Sequence, residues 1–129
     1  MRTETFYRRV LVEGHRDSDD DARRATAAVL QALRDRLTPE EADQAAAQLP
    51  RELKALWAAG EQPGRRPTKL HREAFYRRVM AGGDLESMKA ARAVTRAVFA
   101  ALKAQLSPGE TDDILAQLPR DLKTVWEEA

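Results

Sequence analysis

Residues 38–53 read Thr38-Pro39-Glu40-Glu41-Ala42-Asp43-Gln44-Ala45-Ala46-Ala47-Gln48-Leu49-Pro50-Arg51-Glu52-Leu53. Threonine, then proline, then a glutamate three residues on is a capped helix start. The hydroxyl takes the N-cap, proline takes the first helical position, and the carboxylate can reach back to close a capping box. Pro50 ends the segment, because the residue before a proline is pushed out of helical geometry. A further short helix is expected after it, carrying Leu53, Leu56 and Trp57 on one face.

The same stretch occurs a second time. Ser107-Pro108-Gly109-Glu110 repeats its start, and Ala116-Gln117-Leu118-Pro119-Arg120-Asp121-Leu122 repeats its end, 69 positions further on. Outward from there, Phe6-Tyr7-Arg8-Arg9-Val10 falls on Phe75-Tyr76-Arg77-Arg78-Val79, and Trp57 falls on Trp126. Roughly 27 of 60 aligned pairs are identical without a gap, far above chance, so the chain reads as a tandem duplication. The first unit spans residues 1–60 and the second 70–129. Residues 61–69 form a linker rich in proline, glycine and arginine.

Two more helices precede the capped one in each unit. The first is expected near residues 3–12, with Phe6 and Val10 one turn apart on its buried side. Gly14 and Gly83 follow, suiting a helix C′ position. The second is the longest, near residues 18–36. Its stripe is Ala22, Ala25, Thr26, Val29, Leu33 and Leu37, matched by Ala91, Val94, Thr95, Val98, Leu102 and Leu106. Asp19, Asp20 and Asp21 sit in its first turn, where the helix dipole favours negative charge. The expected fold is therefore all-α, a duplicated four-helix unit of about eight helices. Half the chain would bury too little surface alone, so the units are expected to pack as one bundle with a pseudo-two-fold relation.

Composition narrows the function classes. Lys and Arg number 22 against 21 Asp and Glu, a formal net charge of +1, which argues against a nucleic-acid binder working by bulk charge. No cysteine is present, so disulfides and thiolate chemistry are excluded. The N-terminus turns charged at once, and no stretch approaches the ~18 apolar residues of a spanning helix. A cytoplasmic protein without membrane insertion is expected.

The pattern Phe-x-x-x-Val, a long Ala/Thr/Val/Leu helix ending near Arg34-Asp35-Arg36-Leu37, a small acidic turn and Ala-Gln-Leu-Pro-x-x-Leu resembles the bacterial family called domain of unknown function 2267. The resemblance covers essentially the whole chain, in both units. Its most specific piece is Ala47-Gln48-Leu49-Pro50-Arg51-Glu52-Leu53 with its twin at 116–122. It implies a small bacterial helical protein, often built of two such units, and brings no catalytic residue or cofactor.

Several candidate sites can be weighed. Arg8-Arg9 and Arg77-Arg78, beside Tyr7 and Tyr76, could face phosphate or RNA, but ion-paired residues on an amphipathic helix fit the alternating charges better. Arg65, Arg66, Lys69, His71, Arg72, Arg77 and Arg78 form a basic stretch that could steer an anion; a solvated linker running into a helix is the plainer reading. Asp17–Asp21 beside His15 lacks the spacing of a calcium loop, and no metal ligand set is expected. His15 and His71 stand at non-equivalent positions with no catalytic spacing around them. Acids recur in both units as Glu4 and Glu73, Glu41 and Glu110, and Asp43 and Asp112, and could form a carboxylate pair. Capping accounts for Glu41 and Glu110, however, and leaves little for general acid–base work. Trp57 and Trp126 are either core residues or partner-binding anchors. Leu30 aligns with Phe99, and Ala45 and Ala46 with Ile114 and Leu115, so the halves are expected to be complementary rather than interchangeable.

The resulting expectation is a non-enzymatic helical module for protein–protein association, with itself or with a partner. It has no catalytic residue, no cofactor and no metal, and its possible interaction surface is Arg8, Arg9, Arg65, Arg66, Arg77, Arg78, Trp57 and Trp126. The alternative is a nucleic-acid or anion binder using those six arginines. The third is a small-ligand binder or enzyme with a pocket between the repeats, lined by Thr26, Thr95, Gln48 and Gln117.

Overall fold

The computed structural model describes residues 2–129; Met1, counted in the expected first repeat, lies outside the described residues. Its eight helices are α1 (Thr3–Glu13), α2 (Asp19–Arg36), α3 (Pro39–Ala46), α4 (Arg51–Ala58), α5 (Arg72–Gly82), α6 (Met88–Gln105), α7 (Pro108–Gln117) and α8 (Arg120–Glu128). No strand occurs among the described residues. The all-α class follows, and the boundaries fall where the caps and prolines place them.

Hydroxyl caps open four of these helices. Ser18 and Ser87 accept from the N–H of Asp21 and Ala90, while Thr38 and Ser107 accept from Glu41 and Glu110. Each bond satisfies one of the N–H groups a helix start leaves unpaired. The long stripes then turn inward. Ala22, Ala25, Thr26, Val29 and Leu33 are buried in α2, and Ala91, Val94, Thr95, Val98 and Leu102 in α6.

Each half packs on the other as closely as on itself. α1 lies against both α2 and α6, and α5 lies against both α6 and α2, with α2 and α6 in contact at the centre. These contacts bury one face of α1 and one of α5 against the opposite half. Phe6, Val10, Phe75 and Val79 are fully buried in the shared core.

The glycines after α1 and α5 serve crowding rather than handedness. Gly14 and Gly83 have ordinary right-handed backbone, and the left-handed residues are the next ones, His15 (φ 53°) and Asp84 (φ 51°). A Cβ on Gly14 would stand 2.5 Å from the Val10 oxygen and 3.5 Å from Val94 of α6. On Gly83 it would meet the Val79 oxygen at 3.0 Å and Leu85 at 3.2 Å. The missing side chains let the end of α1 close onto α6 and the end of α5 onto α2.

The linker is pinned at Arg65. Its guanidinium folds over the C-terminal end of α2, donating to the carbonyls of Arg34 (2.8 Å) and Leu37 (2.7 Å) and pairing with Glu61 (2.5 Å). Arg34, itself buried, donates to Trp57 O (2.8 Å), Ala59 O (2.6 Å) and Asp35 (2.8 Å). Arg78 of α5 reaches Asp35 from the other side at 2.5 Å. Burial works to raise the Asp35 pKa, but hydrogen bonds and charge from Arg34 and Arg78 overcome it and hold the carboxyl below its usual value. Guanidinium donors thus satisfy carbonyls that a helix end leaves bare.

Candidate functional site

The six arginines singled out in the sequence do not gather on one face. Arg65 and Arg78 meet at Asp35. Arg77 pairs with Glu73 along α5 at 2.6 Å, and Arg9 with Glu13 along α1 at 2.5 Å. Arg8 lies in a groove with Tyr7, Asp19 and Arg23, and Arg66 is exposed in the linker. Trp57 and Trp126 are buried, so neither can anchor a partner from the surface. Trp57 donates its indole N–H to Ala42 O at 3.1 Å. Trp126 packs edge-on against Phe99 (5.0 Å), which packs on Phe75 (5.8 Å), and its N–H finds no partner. A phenylalanine at the position of Leu30 builds this aromatic stack in the second half only.

Of the polar residues expected around an inter-repeat pocket, Thr26, Gln48 and Gln117 are engaged elsewhere. Thr26 donates to Ala22 O one turn back at 2.7 Å, and Thr95 is buried without a partner. Gln48 and Gln117 cap helices across the halves. Gln117 Oε1 accepts from Thr38 N (2.9 Å) and Gln48 Oε1 from Ser107 N (2.7 Å). Their amide groups donate back to the Thr38 and Ser107 hydroxyls. The glutamine of each Ala-Gln-Leu-Pro segment therefore closes the capped helix of the other half.

This corrects the capping-box reading. Because the glutamines occupy the N-cap N–H groups, Glu41 and Glu110 are not needed there. Their side chains instead turn inward where α3 packs on α7, 8% and 5% exposed. With Asp113 they bring three carboxylates within 4.8 Å of one another. The Oε2 atoms of both glutamates lack a hydrogen-bond partner. Burial, then the hydrogen bond and charge of Glu41, then the charge of Asp113 push the Glu110 pKa up to about 8. A proton shared between two buried carboxylates is the simplest state of such a pair. The helix N-termini behind them favour negative charge and oppose a cation. The grooves between α1 and α6 and over α5, α6 and α8 are lined by other side chains.

A different basic surface appears where helical spacing, not sequence runs, brings residues together. A groove of about 450 Å³ between α1 and α6 has Ala93, Ala97 and Ala100 along its floor. Arg9, His15, Lys89, Arg92 and Arg96 line it against the acids Glu13 and Glu128. Arg92 and Arg96 also face a neighbouring cleft of about 290 Å³, shared with Arg72, Tyr76, Thr124, Val125 and Glu128. Burial raises the Tyr76 pKa, while the charges of Arg72, Arg92 and Arg96 pull against it and Asp121 adds to the rise.

The first half closes the matching position. Tyr7 donates to Glu52 at 3.1 Å, and Arg23 lies over its ring at 5.4 Å. Thr3 and Ala27 stand where the second half has Arg72 and Arg96. The residue matching Glu52 is Asp121, one methylene shorter, which accepts from Arg72 N at 3.0 Å instead. Arg72 belongs to the basic stretch that runs out of the linker, but Arg92 and Arg96 lie on the next helix, so no single run of basic residues announces the cluster. The readable signal was the exchange of Ala27 for Arg96 one turn beyond a retained arginine.

A family model described as "Uncharacterized conserved protein (DUF2267)" matches residues 3–125. No curated protein matches the chain. Among the described residues, no helix is long and apolar enough to cross a membrane.

Proposed function

The chain belongs to the DUF2267 family of uncharacterized conserved proteins, and from that premise we propose that it is a non-enzymatic helical module that binds an acidic segment of a partner protein in the groove between α1 and α6. The observation that carries this reading is the groove's chemistry. An alanine floor admits the apolar face of a helix or extended segment, and the basic rim of Lys89, Arg92 and Arg96 selects for acids beside it. Self-association through an apolar face is less well supported, since Val12 is the one large apolar side chain exposed among the described residues. Nucleic-acid binding is the less favoured reading, because four of its six arginines, Arg9, Arg65, Arg77 and Arg78, pair with neighbouring acids.

The proposal takes the two halves as tandem copies of one unit, resting on the 69-residue offset and the reciprocal packing of α1 on α6 and α5 on α2. A cytoplasmic and bacterial setting belongs to it too, resting on the charged N-terminal residues and the family resemblance.

The test is a titration with an acidic amphipathic peptide followed by backbone NMR. Shifts concentrated at Ala93, Ala97 and Ala100, weakened by salt and abolished by Lys89→Glu with Arg92→Glu, are expected. Shifts scattered over the surface, or binding indifferent to the charge reversal, would overturn the reading.

A further inference from the structure

We infer that the cleft over Tyr76 is a phosphate-monoester site, in which Arg72, Arg92 and Arg96 supply the positive charge and the tyrosine hydroxyl a further donor. The inference rests on the groove reading above and deepens it: the partner segment that lies along α6 carries a phosphorylated residue at this end.

Comparison with the first half shows what is missing from the cleft. There, Glu52 accepts the hydrogen bond from Tyr7, and the local arginine, Arg23, is stacked on the ring. In the second half, the aspartate matching Glu52 is turned toward the start of α5 by its bond to Arg72 N and its approach to His71 at 3.8 Å. Among the described residues, none of Arg72, Arg92 and Arg96 forms an ion pair with a carboxylate. Three guanidiniums and a phenol therefore converge on about 290 Å³ with Glu128 as the acid on the rim. An oxyanion would supply the acceptor that Glu52 supplies to Tyr7. A phosphate monoester fits better than a carboxylate, since its charge approaches two and its three oxygens match several guanidinium forks at once.

The experiment compares one acidic peptide in two forms, with serine and with phosphoserine, and adds inorganic phosphate alone. The phosphopeptide is expected to bind at least about ten-fold tighter, the worth of one charge-assisted contact set. Arg72→Ala, whose side chain lies outside the α1–α6 groove, and Tyr76→Phe should each erase most of that advantage. Asp121→Glu should also erase it by placing a carboxylate at Tyr76 as Glu52 does at Tyr7, with thermal melting confirming that the variant folds. Phosphate alone should shift the Tyr76 ring resonances. Equal affinity for the two peptides, or an advantage that survives Arg72→Ala, overturns the site while leaving the groove reading intact. If neither peptide binds, the groove reading falls, and the phosphate titration then decides the site: shifts at Tyr76 support it and their absence overturns it.

Discussion

The two halves share a backbone plan and differ in how each buried polar group finds a partner. At the first tyrosine the half closes on itself, with Glu52 receiving the Tyr7 hydroxyl and Arg23 covering the ring. At the second, Tyr76 faces arginines and an open cleft. The tryptophans diverge in the opposite sense. Trp57 has a hydrogen-bonded indole, whereas Trp126 gives up that bond for an aromatic stack on Phe99. The α2 end is clamped by Arg34, Arg65 and Asp35, while Lys103, at the position of Arg34, donates to Trp126 O (2.8 Å) and Ala129 O (3.0 Å). What the comparison teaches is that retained residues maintain the packing, and single exchanges around them decide which half presents a surface.

The largest effects should come from the tryptophans. Truncation of either Trp57 or Trp126 to alanine is expected to cost about 3–5 kcal/mol in urea unfolding, since both fill the core. The sharper comparison is with phenylalanine. Trp57→Phe should cost about 1 kcal/mol more than Trp126→Phe, because only Trp57 loses a hydrogen bond. Equal costs would break the contrast.

The α2 clamp comes next. Arg34→Ala removes a buried guanidinium and leaves Asp35 and two carbonyls short of donors, for about 3 kcal/mol. Lys103→Ala should cost nearer 1 kcal/mol, as its carbonyl partners lie near solvent. The Asp35 pKa is held down in the folded protein, so its contribution is present above the ordinary carboxylate value and is lost as pH falls through the lowered one. Asp35→Asn should accordingly flatten the acid limb of a plot of melting temperature against pH.

The contact between α3 and α7 has the opposite sign. The Glu110 pKa is raised from 4.5 to about 8, so the folded state holds a proton that the unfolded chain releases. Stability from this group is full below the unfolded value, declines as pH rises between the two, and levels off above about 8. Glu110→Gln, which keeps a donor toward Glu41, should remove that decline and stabilise the protein at pH 8 by about 1 kcal/mol. A melting temperature with the same pH slope in wild type and variant would refute the shared proton.

The smallest effect is spectroscopic. In an ultraviolet titration Tyr7 should ionise last, with its pKa pushed up to about 12 by burial and then by the charge and hydrogen bond of Glu52, against a smaller opposing effect of Arg23. Tyr76 is raised by burial too, but three arginines work against the rise. Glu52→Gln should bring the Tyr7 transition down toward that of Tyr76 and leave the latter in place.

Much of the fold was legible because its signals are local. A hydroxyl, a proline and a stripe at three- and four-residue spacing act within one or two turns, so helix starts, breaks and buried faces can be read along the chain. The same locality misled at Glu41 and Glu110. A capping box satisfies the N-cap from within the helix, yet here Gln117 and Gln48 arrive from the other half and displace the carboxylates into the interface. The glycines misled for a related reason, since the crowding at Gly14 comes partly from Val94, far along the chain.

The amino-acid sequence by itself determined that this is an all-helical chain with matched halves, and where each helix begins and ends, because those outcomes depend on neighbours a few residues away. Tertiary structure alone decided which polar groups meet. It turned four of the sequence's prominent arginines into ion-pair partners, buried both tryptophans, joined two glutamates from different halves, and set Arg72, Arg92 and Arg96 around Tyr76. Charge and hydrogen-bonding potential are properties of a residue, but whether they are satisfied depends on the distance to a partner, and only the folded chain sets that distance.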